Sequence, residues 1–452
     1  MKTFDLIVIG SGAGLNVAVG AAEAGLKVAL IEEGPMGGTC LNRGCIPSKI
    51  IIHSADVAET IKNSNLYGLH SSLKKVNLKT VTERANKIVD SDARSIEKNI
   101  SSGRNPVLFK GYGKFIDKYI IEVNNEKIKG KKILIATGAR TFIPPIDGIK
   151  ETPFMTSTEA LRQTNLPKSM IIIGGGYIGA ELGYFYAAMG CKITVIQRAS
   201  LLLPREDHEI ASLFTKIWKD KYNVITNAAV TKVEKKRKGI VATVKIGTKT
   251  KRYSAEKLLV ATGVQPNSDS LNLKKANVKV NERGFIKVNR FMETNVKNVW
   301  ALGDVAGIFM FRHSANLEAD YVLNNILRKK KAIDYYPMPH AVFTNPQIAG
   351  VGLTEQEAAA QKKNYVIGKA FYKNTGMGAA LAEKDGFMKL IVEKRTKKIL
   401  GCQILGPHAS ILLHEVCVVM KARNGLDLLR DTIPVHPALS ELVQRTALNV
   451  PL

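Results

Sequence analysis

Two stretches of this chain share one unusual layout, and that layout limits the folds open to it. Residues 4–9 form a run that is apolar apart from Asp5. The run breaks at Gly10-Ser11-Gly12-Ala13-Gly14, continues as an alanine-rich helical segment and ends in a second apolar run, 27–31, closed by Glu32. Strand, glycine turn, helix, strand and acid make a βαβ dinucleotide unit: small residues let the backbone approach a pyrophosphate, and the helix N-terminus offers it free N–H groups. Glu32, or its neighbour Glu33, is placed to hold a ribose diol. Leu15 stands where the third glycine of the fingerprint belongs, a position that serves helix packing more than phosphate contact. The layout returns at 170–173, with Gly174, Gly176 and Gly179 intact, Tyr177 inside the turn, Glu181 on the helix and a strand at 192–196. Each unit also runs on to an apolar strand ending in the same tripeptide, Ala136-Thr137-Gly138 and Ala261-Thr262-Gly263, as an ancient internal repeat would. Two such units predict an α/β chain that binds two dinucleotides.

Between them lies Gly37-Gly38-Thr39-Cys40-Leu41-Asn42-Arg43-Gly44-Cys45-Ile46-Pro47-Ser48-Lys49. Two cysteines separated by four residues, with a glycine between them and a proline just after, can close a small ring whose disulfide is reducible rather than a structural staple. Zinc is the competing reading. It needs two more ligands at tight spacing, and Cys191, Cys402 and Cys417 are scattered singly, so no metal site is expected. Helical spacing over 50–63 seats Cys45 and Lys49 at the start of a helix, where position alone favours a Cys45 thiolate.

These motifs resemble the pyridine-nucleotide disulfide oxidoreductases, the flavoprotein group of dihydrolipoamide dehydrogenase, glutathione reductase, mycothione reductase and mercuric reductase. The resemblance implies FAD in the first unit and a nicotinamide in the second. It implies a redox-active Cys40–Cys45 disulfide in which Cys45 faces the flavin and Cys40 the substrate. Lys49 and Glu181 would pair beside the flavin, and Tyr177 would gate the nicotinamide pocket, unless it is simply a packed turn aromatic. The run 294–304, ending in Gly303-Asp304, resembles the group's second FAD signature, in which the aspartate binds the ribityl chain. His436-Pro437-Ala438-Leu439-Ser440-Glu441 resembles its acid/base motif, with Glu441 orienting His436 towards the cysteines of a partner subunit. A lone histidine near a terminus would otherwise be read as a surface residue.

The expected organisation is an FAD-binding domain over 1–143 and 266–335, a nicotinamide domain over 144–265, and an α+β dimerisation domain over 336–452. In that last domain alternating strands at 341–343 and 387–393 and an amphipathic helix at 410–425 are predicted. NAD binding wants a carboxylate where this chain has Gln197. Arg198, with Arg205 nearby, adds cations suited to a 2′-phosphate, which favours NADP(H). Arg43 brings a charge between the two cysteines that could depress a thiol pKa or attract an anionic substrate. Within the group, the cysteine and histidine motifs are most similar to dihydrolipoamide dehydrogenase, while 311–319 and 343–349 are equally similar to mycothione reductase. Mercuric reductase fits less well because 446–452 lacks paired cysteines. A reading of another class is a non-catalytic flavoprotein that binds partners through its basic surface.

Composition sets the remaining bounds. The 66 Lys and Arg against 39 Asp and Glu give a formal charge of +27, spread along the chain in short runs without aromatic interleaving. That reads as solvated surface with a field attractive to anions rather than as a nucleic-acid site. An odd count of five cysteines suits a reducing compartment, so a cytoplasmic location is expected. The long uncharged run 169–190 carries Glu181 and several glycines, which argues against a membrane span. The partners expected are a small disulfide or dithiol substrate and a second copy of the chain.

Overall fold

The computed structural model describes residues 1–452. The chain divides into two compact units, one built from 1–50, 80–142 and 263–335, the other from 51–79, 143–262 and 336–452.

The first unit is organised on a seven-stranded sheet. Its order is Val107–Lys110, Val28–Glu32, Lys2–Ile9, Glu126–Ile135, Ile120–Val123 and Gly113–Asp117, with Val299–Ala301 also pairing Glu126–Ile135. Lys2–Ile9 runs parallel to both of its neighbours, Leu6 opposite Val28 and Lys132. A strand with sheet on both sides and cover on both faces must be apolar at every position, which is why 6–9 reads as an unbroken run. Its side chains divide by parity: Ile7 and Ile9 enter one core with Ile133 and Val299, while Leu6 and Val8 enter the other. The second core is closed by the helices Gly14–Glu23 and Arg312–Leu327, through Val17, Ala18, Ala319 and Val322.

The second unit holds a parallel four-stranded sheet, ordered Asn223–Ile225, Lys192–Ile196, Ser169–Ile173 and Lys257–Val260, together with the three-stranded meander 228–255. It also holds an antiparallel five-stranded sheet, Pro339–Val342, Ile348–Gly352, Ile399–Leu405, Phe387–Glu393 and Tyr365–Phe371. The helix Ala409–Lys421 packs Leu412, Leu413 and Val416 into the core of that sheet. The architecture is therefore α/β, with two Rossmann-like units and a C-terminal α+β region. No helix is long and apolar enough to cross a membrane.

Candidate active site

Cys40 lies in the short helix Gly38–Arg43 and Cys45 opens the long helix Cys45–Lys62, so the glycine between them is the joint that turns one thiol towards the other. A Cβ on Gly44 would sit 2.9 Å from the Thr39 carbonyl oxygen and 3.3 Å from Cys40 Cα, closer than a side chain tolerates. Buried Asn42 pins the loop from below, its amide donating to the Met36 carbonyl at 2.9 Å and the Gly38 carbonyl at 3.0 Å. Pro47 costs little in the first turn of the long helix, where its missing N–H would have had no intrahelical partner.

Both cysteines are free thiols, joined by a hydrogen bond. That bond lowers the Cys40 pKa against the opposing effect of burial; the Arg312 guanidinium and the Lys49 ammonium lower it further, to about 7. Cys45 moves the other way, raised by its bond to Cys40, by burial and by the charge on Cys40, and these outweigh Lys49. Helix position alone favours a Cys45 thiolate, but the neighbouring Cys40 and burial outweigh it and push Cys45 up. Arg43 lines the same cavity as both cysteines, and the arginine whose charge lowers the Cys40 pKa is Arg312.

The thiols form one end of a cleft that gathers Gly10, Gly12, Glu32, Gly38, Thr39, Thr137, Gly138, Gly303 and Asp304 into one wall. Gly10 has φ +105°, and a Cβ there would collide with the Ala136 carbonyl; one on Gly38 would meet Gly12 Cα at 2.6 Å. Glu32 organises the turn, accepting the Ser11 N–H at 2.8 Å, the Ser11 hydroxyl at 2.7 Å and the Gly34 N–H at 2.8 Å. Gly14 lies beneath the wall, where a Cβ would crowd Ala136 Cβ at 2.8 Å and Val8 Cγ1 at 3.0 Å. The closest helix-to-strand approach thus falls one residue before Leu15, which is how the chain dispenses with a glycine there.

Opposite the glycines, burial raises the Asp304 carboxyl to about 6, and no protein group bonds to it. A carboxylate facing a cavity without a partner fits a ligand rich in hydroxyl groups. Glu318, fully buried behind it, accepts the Gly303 N–H at 2.6 Å and the Tyr335 hydroxyl at 2.8 Å. Burial raises Glu318 to about 7 against those two bonds, with the charge of Asp304 adding to the rise. Neither Arg312 nor Glu318 stands out in sequence; each lies on a helix whose facing partner comes from a distant segment.

The second unit repeats the glycine logic. A Cβ on Gly174 would strike the Ala261 carbonyl and one on Gly179 the Gly174 carbonyl, while Gly176, which caps the helix Tyr177–Ala188, opens to free space. Gln197 replaces the acid and keeps its bond: Oε1 accepts the Gly175 N–H at 3.2 Å and Nε2 donates to the Leu201 carbonyl at 3.3 Å. Arg198 and Arg205 are exposed. The Tyr177 hydroxyl donates to Glu206, a buried acid that also meets His340 Nε2 at 2.9 Å, and the His340 ring stacks on Tyr177. No sequence signal marks that anchor, because Glu206 lies ten residues beyond the end of the strand Lys192–Ile196 and His340 belongs to the antiparallel sheet. Glu181 accepts the Phe343 N–H at 3.1 Å, and Lys49 reaches Ser48 Oγ at 3.3 Å. Gly263 lies outside the glycine turns; its carbonyl accepts the Phe142 N–H at 2.9 Å.

His436 and Glu441 meet as the motif implies, Nδ1 to Oε1 at 2.9 Å. The His436 bond holds the Glu441 carboxyl below its usual range, opposed by burial and helped by the Ala438 N–H and by Arg445. The histidine side chain is 74% exposed and the glutamate 9%, so the ring is fixed at Nδ1 and open at Nε2.

A paired thiol at one end of a dinucleotide cavity, with a second dinucleotide fold in the same chain, defines a flavoprotein disulfide oxidoreductase. The chain belongs to the pyridine nucleotide-disulphide oxidoreductase family, whose main pattern matches residues 4–319 and whose dimerisation domain matches 338–447. Among its relatives, a dihydrolipoyl dehydrogenase of Chlamydia trachomatis is 34% identical, over 99% of this chain and 97% of its own length. A mercuric reductase of Staphylococcus aureus is 33% identical over 99% of this chain and 82% of its own length. The solved structure of the HOCl-induced flavoprotein disulfide reductase RclA from Escherichia coli, as a Cu(II) complex, superposes with a TM-score of 0.89 at 31% identity, covering 99% of both chains.

Proposed function

We propose that this enzyme moves an electron pair between a reduced nicotinamide and a small disulfide through the Cys40 and Cys45 thiols, as a dihydrolipoyl dehydrogenase-like catalyst. The observation that carries the reading is the hydrogen-bonded thiol pair in the wall of the first dinucleotide cavity. FAD fits that cavity: Gly10, Gly12 and the Ser11 turn would take the pyrophosphate, Glu32 the adenosine ribose and Asp304 the ribityl hydroxyls. When bound, it supplies the two-electron relay that neither thiols nor backbone can provide.

The residues then divide the work. With the Cys40–Cys45 bond opened by an electron pair, the Cys40 sulfur attacks one sulfur of the substrate disulfide. The substrate S–S bond breaks, a mixed disulfide forms, and the departing thiolate takes a proton from His436. Cys45 sulfur then attacks Cys40, the Cys40–Cys45 bond re-forms and the second thiol leaves; a dithiol substrate runs the same steps backwards. Glu441, holding Nδ1, leaves Nε2 as the working nitrogen. His436 of one subunit would serve the thiols of the other in a homodimer. Ile433 and Val435, 92% and 75% exposed beside it, are the apolar surface such a partner would cover. Tyr177 would gate the nicotinamide pocket. There Gln197 removes the charge that repels a 2′-phosphate and Arg198 and Arg205 supply cations, so NADP(H) is preferred to NAD(H).

Anaerobic titration of the FAD enzyme with NADPH tests the relay. Electron uptake beyond the flavin's own pair, abolished in Cys40→Ser and Cys45→Ser, is expected. A wild-type enzyme that accepts no more than the flavin's pair would exclude it.

A further inference from the structure

Arg312 is a cation of the first unit set in the wall beside the thiols. It opens the helix Arg312–Leu327 and lines the same cavity as Cys40 and Cys45. Its side chain is half-buried, yet its guanidinium makes no hydrogen bond and no ion pair with any group of the chain. Asp304, the acid in the same cavity wall, owes its shift to burial alone, with no pull from a cation, so Arg312 is not its partner. A guanidinium held partly out of water beside a nucleophile, with five donors unmet, is built to receive an anion.

Resting on the disulfide reading above, we propose that Arg312 is a specificity-determining residue that selects disulfides carrying an anionic group, a carboxylate being the simplest, by pairing with that group while Cys40 attacks the sulfur. The chemical steps are those already given and are unchanged; Arg312 adds a contact, not a bond. Its reach to the thiol is independent support, since its charge is the largest cationic influence on Cys40, ahead of Lys49. A net charge of +27 would concentrate the same class of substrate near the protein.

The test compares kcat/KM for glutathione disulfide, which carries carboxylates, with that for lipoamide, which is neutral, in FAD-loaded wild-type, Arg312→Ala and Arg312→Lys enzymes. Beyond any loss common to both disulfides from a higher Cys40 pKa, one charge-assisted contact at a partly screened site predicts that Arg312→Ala lowers the ratio of kcat/KM for glutathione disulfide over lipoamide by roughly tenfold, carried by KM. Arg312→Lys keeps the charge without the fork and should recover part of the loss, which also guards against an alanine variant that fails to fold. In wild type the glutathione disulfide rate should fall with added salt while the lipoamide rate holds. An unchanged ratio, whether from equal losses on both disulfides or with a changed flavin spectrum, would overturn the assignment by confining Arg312 to the thiols or the flavin. A wild-type enzyme whose flavin is reduced by nicotinamide but which turns over neither disulfide would remove the underlying reading first, before any variant is compared, and the proposal with it.

Discussion

Cys40 is the residue whose chemistry depends most on its neighbours. An ordinary cysteine titrates well above neutrality; here the bond to Cys45, and the charges of Arg312 and Lys49 against the opposing burial, bring it to about 7. The pKa is lowered in the folded state, so the stabilisation that comes from ionising Cys40 is present in full above the unfolded value, near pH 9, and is lost as pH falls through 7. Reactivity follows the same sign. In the reduced holoenzyme, alkylation of one thiol by iodoacetamide should rise with a midpoint near pH 7, and mapping of the modified peptide should find the label on Cys40. A midpoint near 9, or a label on Cys45, would contradict the geometry. Part of this was legible in sequence, because two cysteines around Gly44 already announce a redox pair. Which thiol is the acid was not, since that depends first on how the two thiols meet and then on the charge of Arg312, which only folding brings to Cys40.

The two βαβ elements are the same device tuned differently. In the first, Glu32 accepts the Ser11 N–H; in the second, Gln197 accepts the Gly175 N–H, and both turns need a left-handed glycine pressed on a carbonyl from the neighbouring strand, Ala136 or Ala261. Their positions could be read from glycine spacing because only glycine meets that contact. The adjustment at Leu15 could not, since it depends on how closely Gly14 lies against Val8, a three-dimensional quantity. Nor could the Glu206 anchor of Tyr177, which joins elements far apart in the chain. The parallel yields a substitution. Gln197→Glu keeps the acceptor for Gly175 but puts a carboxylate where the amide now donates to the Leu201 carbonyl. It should shift the ratio of kcat/KM for NADPH over NADH towards NADH by about tenfold or more, through repulsion of the 2′-phosphate. An unchanged ratio, or a wild-type enzyme that already prefers NADH, would leave Gln197 as a purely structural residue of the turn.

At the scale of the molecule, the difficulty is that thiols and histidine are fixed by unrelated means. The thiols are set by a loop on the first dinucleotide sheet, whereas His436 is set by Glu441 at the start of the helix Glu441–Leu448, in the other compact unit. One ring nitrogen is tied to a buried carboxylate, the other is open, and Ile433 and Val435 close by in the chain are exposed. In the homodimer proposed above, each ring would serve the thiols of the partner, once for each site. This arrangement predicts complementation. Cys40→Ser and His436→Ala homodimers should each be nearly inactive in disulfide turnover, while both still pass electrons to an acceptor that draws on the flavin directly. In a mixed dimer, the Cys40→Ser subunit contributes an intact His436 to the thiols of its His436→Ala partner, so one of the two sites is whole. Random reassortment of equal amounts makes half the dimers mixed, so recovery of about a quarter of wild-type activity is expected. Measured turnover after co-refolding or co-expression decides it: if thiols and histidine served each other within one subunit, every mixed dimer would carry two broken sites and no activity would return.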